Sequence, residues 1–101
     1  MRERQLIEIF LPIGKTNADR HYLKRIEGKL TERFGGLTVY ARAPAKGAFK
    51  DGRDTEQDDI TVLEVMTDDL DTDWWARFRD LLQRDLSEKE ILIRASKVHQ
   101  L

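Results

Sequence analysis

The sequence predicts an α+β domain in which a four-stranded antiparallel sheet carries two helices on one face. Three observations lead to this prediction. Four segments alternate between apolar and polar residues, as half-buried strands do. Two longer segments repeat apolar residues every three or four positions, as amphipathic helices do. The segments follow one another as β-α-β-β-α-β, which is the order of the ferredoxin-like sandwich.

The first strand is predicted at residues 6–13, because every second residue from Ile7 to Ile13 is apolar. A helix follows, and Thr16 or Asn17 is expected to cap its N-terminus. The apolar stripe of this helix comprises Leu23, Ile26, Leu30 and Phe34. Gly35 and Gly36 end the helix, since glycine adopts the left-handed conformation of a C-terminal cap without steric cost.

The second half of the chain repeats this pattern. Strand two is predicted at residues 37–42, strand three at 60–67 and strand four at 91–96. The second helix follows an acidic run, and its apolar stripe comprises Trp75, Phe78, Leu82 and Leu86, widened by Trp74 and Leu81. Because Trp74 and Trp75 are adjacent on a helix, we expect one indole to enter the core and the other to lie along its margin.

Length and composition predict one domain covering residues 1–101, with a long hairpin arm at about 43–59. The chain has 101 residues, of which 40% are hydrophobic, enough for a single core. It contains no cysteine, which excludes disulfides, thiolate metal sites and cysteine nucleophiles. The 18 basic and 19 acidic side chains nearly balance, so we expect no nucleic-acid partner.

The longest apolar run, Leu6–Ile13, is far shorter than the ~20 residues that span a bilayer, so we expect no membrane partner. The N-terminus lacks the features of a secretory signal, which favours a cytoplasmic location. The run Asp69–Asp73 has the spacing that opens a calcium loop, but Trp74 occupies the position that needs glycine. We therefore predict neither a metal nor another cofactor, and interpret these acids as favourable charges at a helix N-terminus.

The two faces of the predicted sheet differ in character. The inner face, which we expect to pack on the helices, is nearly all apolar and comprises Ile7, Ile9, Leu11, Leu37, Val39, Ala41, Leu63, Val65, Ile91 and Ile93. The outer face mixes Phe10, Tyr40, Val62, Met66 and Leu92 with Glu8, Arg42, Glu64 and Arg94. These charges are expected to form one row across the sheet, in the order Arg94, Glu8, Glu64, Arg42. The row is either a solvated ladder of ion pairs or part of a dimer interface or ligand platform.

The predicted arm begins after strand two and contains the hairpin signal Asp51-Gly52. Counting back from this turn places Val39 opposite Glu64, which mixes the two faces. Either a bulge near Pro44 or Gly47 supplies one extra residue, or the tip is a loose loop instead of a tight turn. The basic and aromatic candidates for binding are Arg42, Lys46, Phe49, Lys50 and Arg53. These residues either bind an anionic ligand, contact a neighbouring subunit or belong to a solvated hairpin without a binding role.

Three segments, ERFGGLTVYARAPAKG, ITVLEVM and DWWARFRDLL, resemble a group of small bacterial proteins whose function is not characterised. The resemblance implies a ferredoxin-like layout over most of the chain and lends no catalytic or binding residues. The architecture is also similar to that of dimeric α/β barrels, in which two such sheets pack face to face.

Two functional hypotheses remain open. The first is a self-associating binding module, most simply a homodimer, that uses the outer face and the arm. The alternative is a small cofactor-free enzyme of the dimeric α/β-barrel type acting on a small anionic substrate. In that case Glu8 or Glu64 would act as the base, with Tyr40 nearby and Arg42 holding the anion. No motif in the sequence specifies catalysis, which favours the binding module.

Overall fold

The computed structural model describes residues 1–42 and 60–101. Over these ranges the elements are β1 (Arg2–Leu11), α1 (Asn17–Phe34), β2 (Thr38–Arg42), β3 (Ile60–Thr67), α2 (Thr72–Asp85) and β4 (Ile93–Gln100). The strands form one sheet in the order β2-β3-β1-β4, and every neighbouring pair is antiparallel. The predicted fold class, an α+β sandwich of the ferredoxin-like type, is confirmed.

The core lies between the inner face of the sheet and both helices. Its fully buried sheet residues include Ile7, Ile9, Leu11, Leu63 and Val65, and the helices contribute Ile26, Leu30, Trp75, Phe78 and Leu82. Burying a side chain of this size contributes roughly 1.5–3 kcal/mol, so this layer provides the main driving force for folding. Val39 also lies on the inner face but is 37% exposed, because β2 is an edge strand.

Helix α1 begins and ends at the predicted caps, and α2 begins after the predicted acidic run. The Thr16 hydroxyl accepts a hydrogen bond from the backbone N–H of Asp19 at 3.0 Å, and the Asp19 carboxylate accepts the N–H of Thr16 in return. This capping box satisfies two backbone donors at the start of α1. Gly35 ends the helix at φ 80°, the left-handed conformation. At the start of α2 the Asp71 side chain accepts the backbone N–H of Trp74 at 3.1 Å.

The two strands at the chain ends are longer than predicted. β1 begins at Arg2, four positions before the predicted start, and β4 continues to Gln100. These ends pair with each other, since Arg2 lies opposite Gln100 and Arg4 opposite Val98. Their mostly exposed side chains carry no hydrophobic alternation, so backbone hydrogen bonding between segments distant in sequence decides their structure.

As predicted, the register of β2 against β3 differs by one residue from the register that a tight Asp51-Gly52 turn would impose. Val39 lies opposite Leu63 and Tyr40 opposite Val62, so each pair shares one face of the sheet. The predicted arm, residues 43–59, lies outside the described residues.

Candidate functional site

A row of charged and polar side chains crosses the outer face of the sheet. Glu8 lies opposite Arg94 on one side and opposite Glu64 on the other, and Glu64 lies opposite Thr38 of β2. The prediction that Arg42 completes this row is therefore wrong. Arg42 lies opposite Ile60, four positions along β2 and therefore roughly 13 Å from Thr38.

Arg94 and Glu8 form the best-defined contact of the row. The Arg94 Nε donates to Glu8 Oε1 at 2.8 Å, and the Glu8 side chain is only 16% exposed. The hydrogen bond to the Glu8 carboxylate, together with its negative charge, raises the pKa of the Arg94 guanidinium. The same guanidinium lies 4.9 Å from the centre of the Phe10 ring. Arg94 thus bridges a carboxylate and an aromatic ring on the outer face.

Glu64 has a different partner, the hydroxyl of Tyr40. The negative charge of Glu64, followed by the hydrogen bond that its carboxylate accepts, raises the pKa of Tyr40. The phenol O–H is the donor of this hydrogen bond, because the carboxylate can only accept. Tyr40 is 47% exposed, so this pair lies at the boundary with solvent.

Two carboxylates consequently lie side by side at the centre of the outer face. Cross-strand neighbours have Cβ atoms about 4.5–5.5 Å apart, and like charges in such positions repel each other. Arg94 compensates Glu8 and the Tyr40 hydroxyl compensates Glu64. The arrangement places a concentrated negative charge between one cationic and one neutral donor.

Apolar side chains flank this row, with unequal exposure. Val62 lies between Phe10 and Tyr40 on the two neighbouring strands and is 1% exposed. Val62 is buried although it belongs to the outer face. It lies on β3, an inner strand, and an aromatic residue lies opposite it on each side. Met66 and Leu92 are 39% and 54% exposed. Together with Tyr40, they are the large apolar side chains of the outer face that are exposed among the residues with a described burial; Leu92 directly precedes β4 and accepts the N–H of Phe10.

A cavity of about 320 Å³ opens at the end of the outer face, beside the C-terminus of α1. Arg4 and Glu64 line it from the sheet, and Gly35 and Gly36 line it from the helix end. The Arg4 guanidinium donates to the carboxylate of Asp68 at 3.1 Å and to the side-chain oxygen of Gln100 at 3.0 Å. Sequence reasoning missed Arg4, although its parity with Glu8 would place it on the outer face if β1 were extended toward the N-terminus.

Several predicted binding residues cannot be placed at this site. Lys46, Phe49, Lys50 and Arg53 belong to the arm and lie outside the described residues. Arg42 is placed by its backbone pairing alone. Participation of the arm in binding stays a prediction.

The described residues contain neither a cluster of metal ligands nor a helix that could span a membrane. Among them no three histidine or acidic side chains converge in a way that would hold a metal ion. Neither α1 nor α2 combines the length and apolar character needed to cross a membrane.

The chain matches no protein-family model and no curated protein. The resemblance to small bacterial proteins stays a prediction.

Proposed function

We propose that this domain is a self-associating binding module that forms a homodimer through its outer face. The observation that carries the proposal is Leu92, which is 54% exposed, directly precedes β4 and lies two residues from Arg94 of the Arg94–Glu8 ion pair. Its backbone carbonyl accepts the N–H of Phe10 at 3.0 Å, so the β1–β4 register continues to Leu92 and puts it on the same face as Phe10, opposite the helices. Exposed apolar side chains grouped with complementary charges are typical of protein interfaces.

The charges on the outer face favour one way of pairing two copies. A two-fold axis parallel to the strands and midway between β1 and β3 would place Glu8 of each copy against Glu64 of the other. Four carboxylates would then meet at the centre, which is unfavourable. An axis between β1 and β4 instead places Arg94 of each copy opposite Glu8 of the other. We call this the offset arrangement. It forms the Arg94–Glu8 pair twice, because both copies use the same surface in an isologous interface.

The offset arrangement uses mainly the β1 and β4 half of the outer face. Interfaces of small area bind weakly, so we expect a reversible dimer whose molar mass falls on dilution. The other half, with Tyr40, Glu64 and the cavity beside Arg4, stays available for a ligand.

Light scattering across a dilution series tests the dimer. Leu92→Lys introduces a charge into the proposed interface and is expected to produce a monomer at all concentrations. Met66→Lys is the matched control, because Met66 is also exposed on the outer face but lies on β3. It should dimerise like the wild type. A wild-type protein that is monomeric at millimolar concentration would overturn the proposal. If Met66→Lys dissociated the dimer and Leu92→Lys did not, the interface would include β3, and the arrangement about an axis between β1 and β4 would be wrong.

A second candidate function, a small cofactor-free enzyme acting on an anionic substrate, draws on the Glu8–Glu64 pair and on Arg4. A carboxylate base and an arginine that holds an anion are the groups that such a reaction needs, and Glu64 and Arg4 line one cavity. Titration with acetate and with inorganic phosphate, followed by amide NMR shifts, tests the anion site. Shifts at Gly35 and Gly36 that Arg4→Gln abolishes would support it, and unshifted amides would count against it.

A further inference from the structure

The helix layer contains a groove that the outer-face proposal does not use. It has a volume of about 500 Å³ and lies between α1 and α2. Its lining comprises Lys29, Glu32 and Arg33 from α1 and Trp74, Arg77, Phe78 and Leu81 from α2. The volume falls within the range of small-molecule sites, roughly 300–1,000 Å³.

The apolar part of the groove is a packed aromatic cluster. Trp74 stacks on Phe78 with ring centres 5.0 Å apart and meets Phe34 edge to face at 5.3 Å. Phe78 is buried, whereas Trp74 is partly exposed. Several ring contacts hold Trp74 in place, so its exposed part offers a preorganised surface for another flat apolar group.

The charges around this surface favour an anion. Three cationic side chains line the groove against one carboxylate, that of Glu32. The Arg33 guanidinium lies 4.4 Å from the centre of the Trp74 ring and pairs with Asp71 at 3.4 Å, so its charge is compensated. Lys29 and Arg77 have no ion-pair partner among the residues that the structure describes.

We propose that this groove binds a small aromatic anion, with its ring against Trp74 and Leu81 and its acidic group between Lys29 and Arg77. The ring would pack on the aromatic surface, and the acidic group would pair with the two cations that have no ion-pair partner within residues 1–42 and 60–101. Glu32 also lines the groove, and its negative charge lowers the affinity for an anion. The site is on the helix layer and therefore independent of dimerisation through the outer face.

Anilinonaphthalene sulfonate is a suitable probe, because it is a flat aromatic anion whose fluorescence rises in apolar surroundings. Its neutral counterpart, phenylnaphthylamine, has the same rings without the charge. We expect the sulfonate to bind at one equivalent per chain and more tightly than the neutral compound. Equal binding of both compounds would overturn the assignment of the anion to Lys29 and Arg77.

Substitutions that change charge but keep the side chains polar separate this site from non-specific binding. Lys29→Gln and Arg77→Gln are each expected to weaken sulfonate binding about two- to fivefold, the effect of an exposed ion pair. Glu32→Gln is expected to tighten it about twofold. Arg79→Gln is the matched control, because Arg79 is an exposed arginine of α2 outside this groove.

The groove variants should leave the molar mass of the protein unchanged, since they are remote from the outer face. A Lys29→Gln/Arg77→Gln double variant that binds the sulfonate as tightly as the wild type would overturn the proposal. So would a loss of affinity in Arg79→Gln equal to that in Arg77→Gln.

Discussion

Glu8 and Glu64 lie directly opposite each other on the two inner strands of the sheet, and each is compensated by a different neighbour. Glu8 pairs with the Arg94 guanidinium, whereas Glu64 accepts only a neutral hydrogen bond from Tyr40 among the contacts described. The negative charge of Glu64 is therefore the less compensated of the two.

Glu64→Gln is expected to stabilise the fold, by up to about 1 kcal/mol at low salt, because it removes a like charge opposite Glu8 while keeping an acceptor for Tyr40. High salt should shrink the gain through screening. Urea unfolding at fixed protein concentration measures the effect. Glu88→Gln, an exposed residue after α2, is the control and should change stability little. Destabilisation by Glu64→Gln would show that the charged hydrogen bond to Tyr40 outweighs the repulsion.

Removing the N-terminal cap of α1 should lower the free energy of unfolding. Thr16→Ala deletes the hydroxyl that accepts the N–H of Asp19, which is expected to cost about 1 kcal/mol. Thr31→Ala makes the same chemical change at an exposed position inside α1, where alanine has the higher helix propensity. Thermal or urea unfolding should therefore show a lower free energy of unfolding for Thr16→Ala and an unchanged or higher one for Thr31→Ala. Equal losses would mean that the capping hydrogen bond is not the cause.

Alkaline pH should destabilise the protein through Tyr22. Burial, then the hydrogen bond donated to Asp85 at 2.9 Å and the negative charge of Asp85, raise the pKa of Tyr22 well above its ordinary value. Because the folded-state pKa is the higher one, this contribution is complete below about pH 10, the unfolded value. It is lost as the pH rises from there through the folded pKa, with a slope approaching about 1.4 kcal/mol per pH unit.

Tyr22→Phe should therefore lose less stability than the wild type between neutral and strongly alkaline pH, as followed by urea unfolding. Tyr40→Phe is the matched control. The pKa of Tyr40 is also raised, but at an exposed position. Removing the Tyr40 hydroxyl should therefore reduce the loss of stability at alkaline pH less than removing that of Tyr22. Identical profiles for the wild type and Tyr22→Phe would contradict the prediction.

Leu82→Ala tests the packing of α2 on the sheet. Leu82 is 0% exposed within the core, and its truncation is expected to cost about 2–5 kcal/mol through lost burial and the cavity left behind. Leu70→Ala is the control, because Leu70 is 41% exposed and should cost much less. Midpoints of urea unfolding compare the two. A small loss at Leu82 would mean that the core collapses to fill the space.

The order of the elements, the caps of α1 and the side chains that face the core could be predicted from the sequence. The periodicity of 2 or 3.6 residues and the capping chemistry of Thr16 and Gly35 are local properties, so they can be predicted from neighbouring residues. The hydrogen bond by which Asp71 caps α2 was not predicted from the acidic run around it. The one-residue offset between β2 and β3 was also predictable, because both strands must keep their apolar residues on the same face.

The contacts between side chains on the outer face could not be predicted from the sequence. Alternation assigns a residue to a face, but the pairing of strands far apart in sequence sets its neighbours. Thr38 instead of Arg42 therefore completes the charged row, and Val62 is buried between Phe10 and Tyr40. The groove between α1 and α2 likewise depends on how two helices pack, which no pattern within either helix specifies.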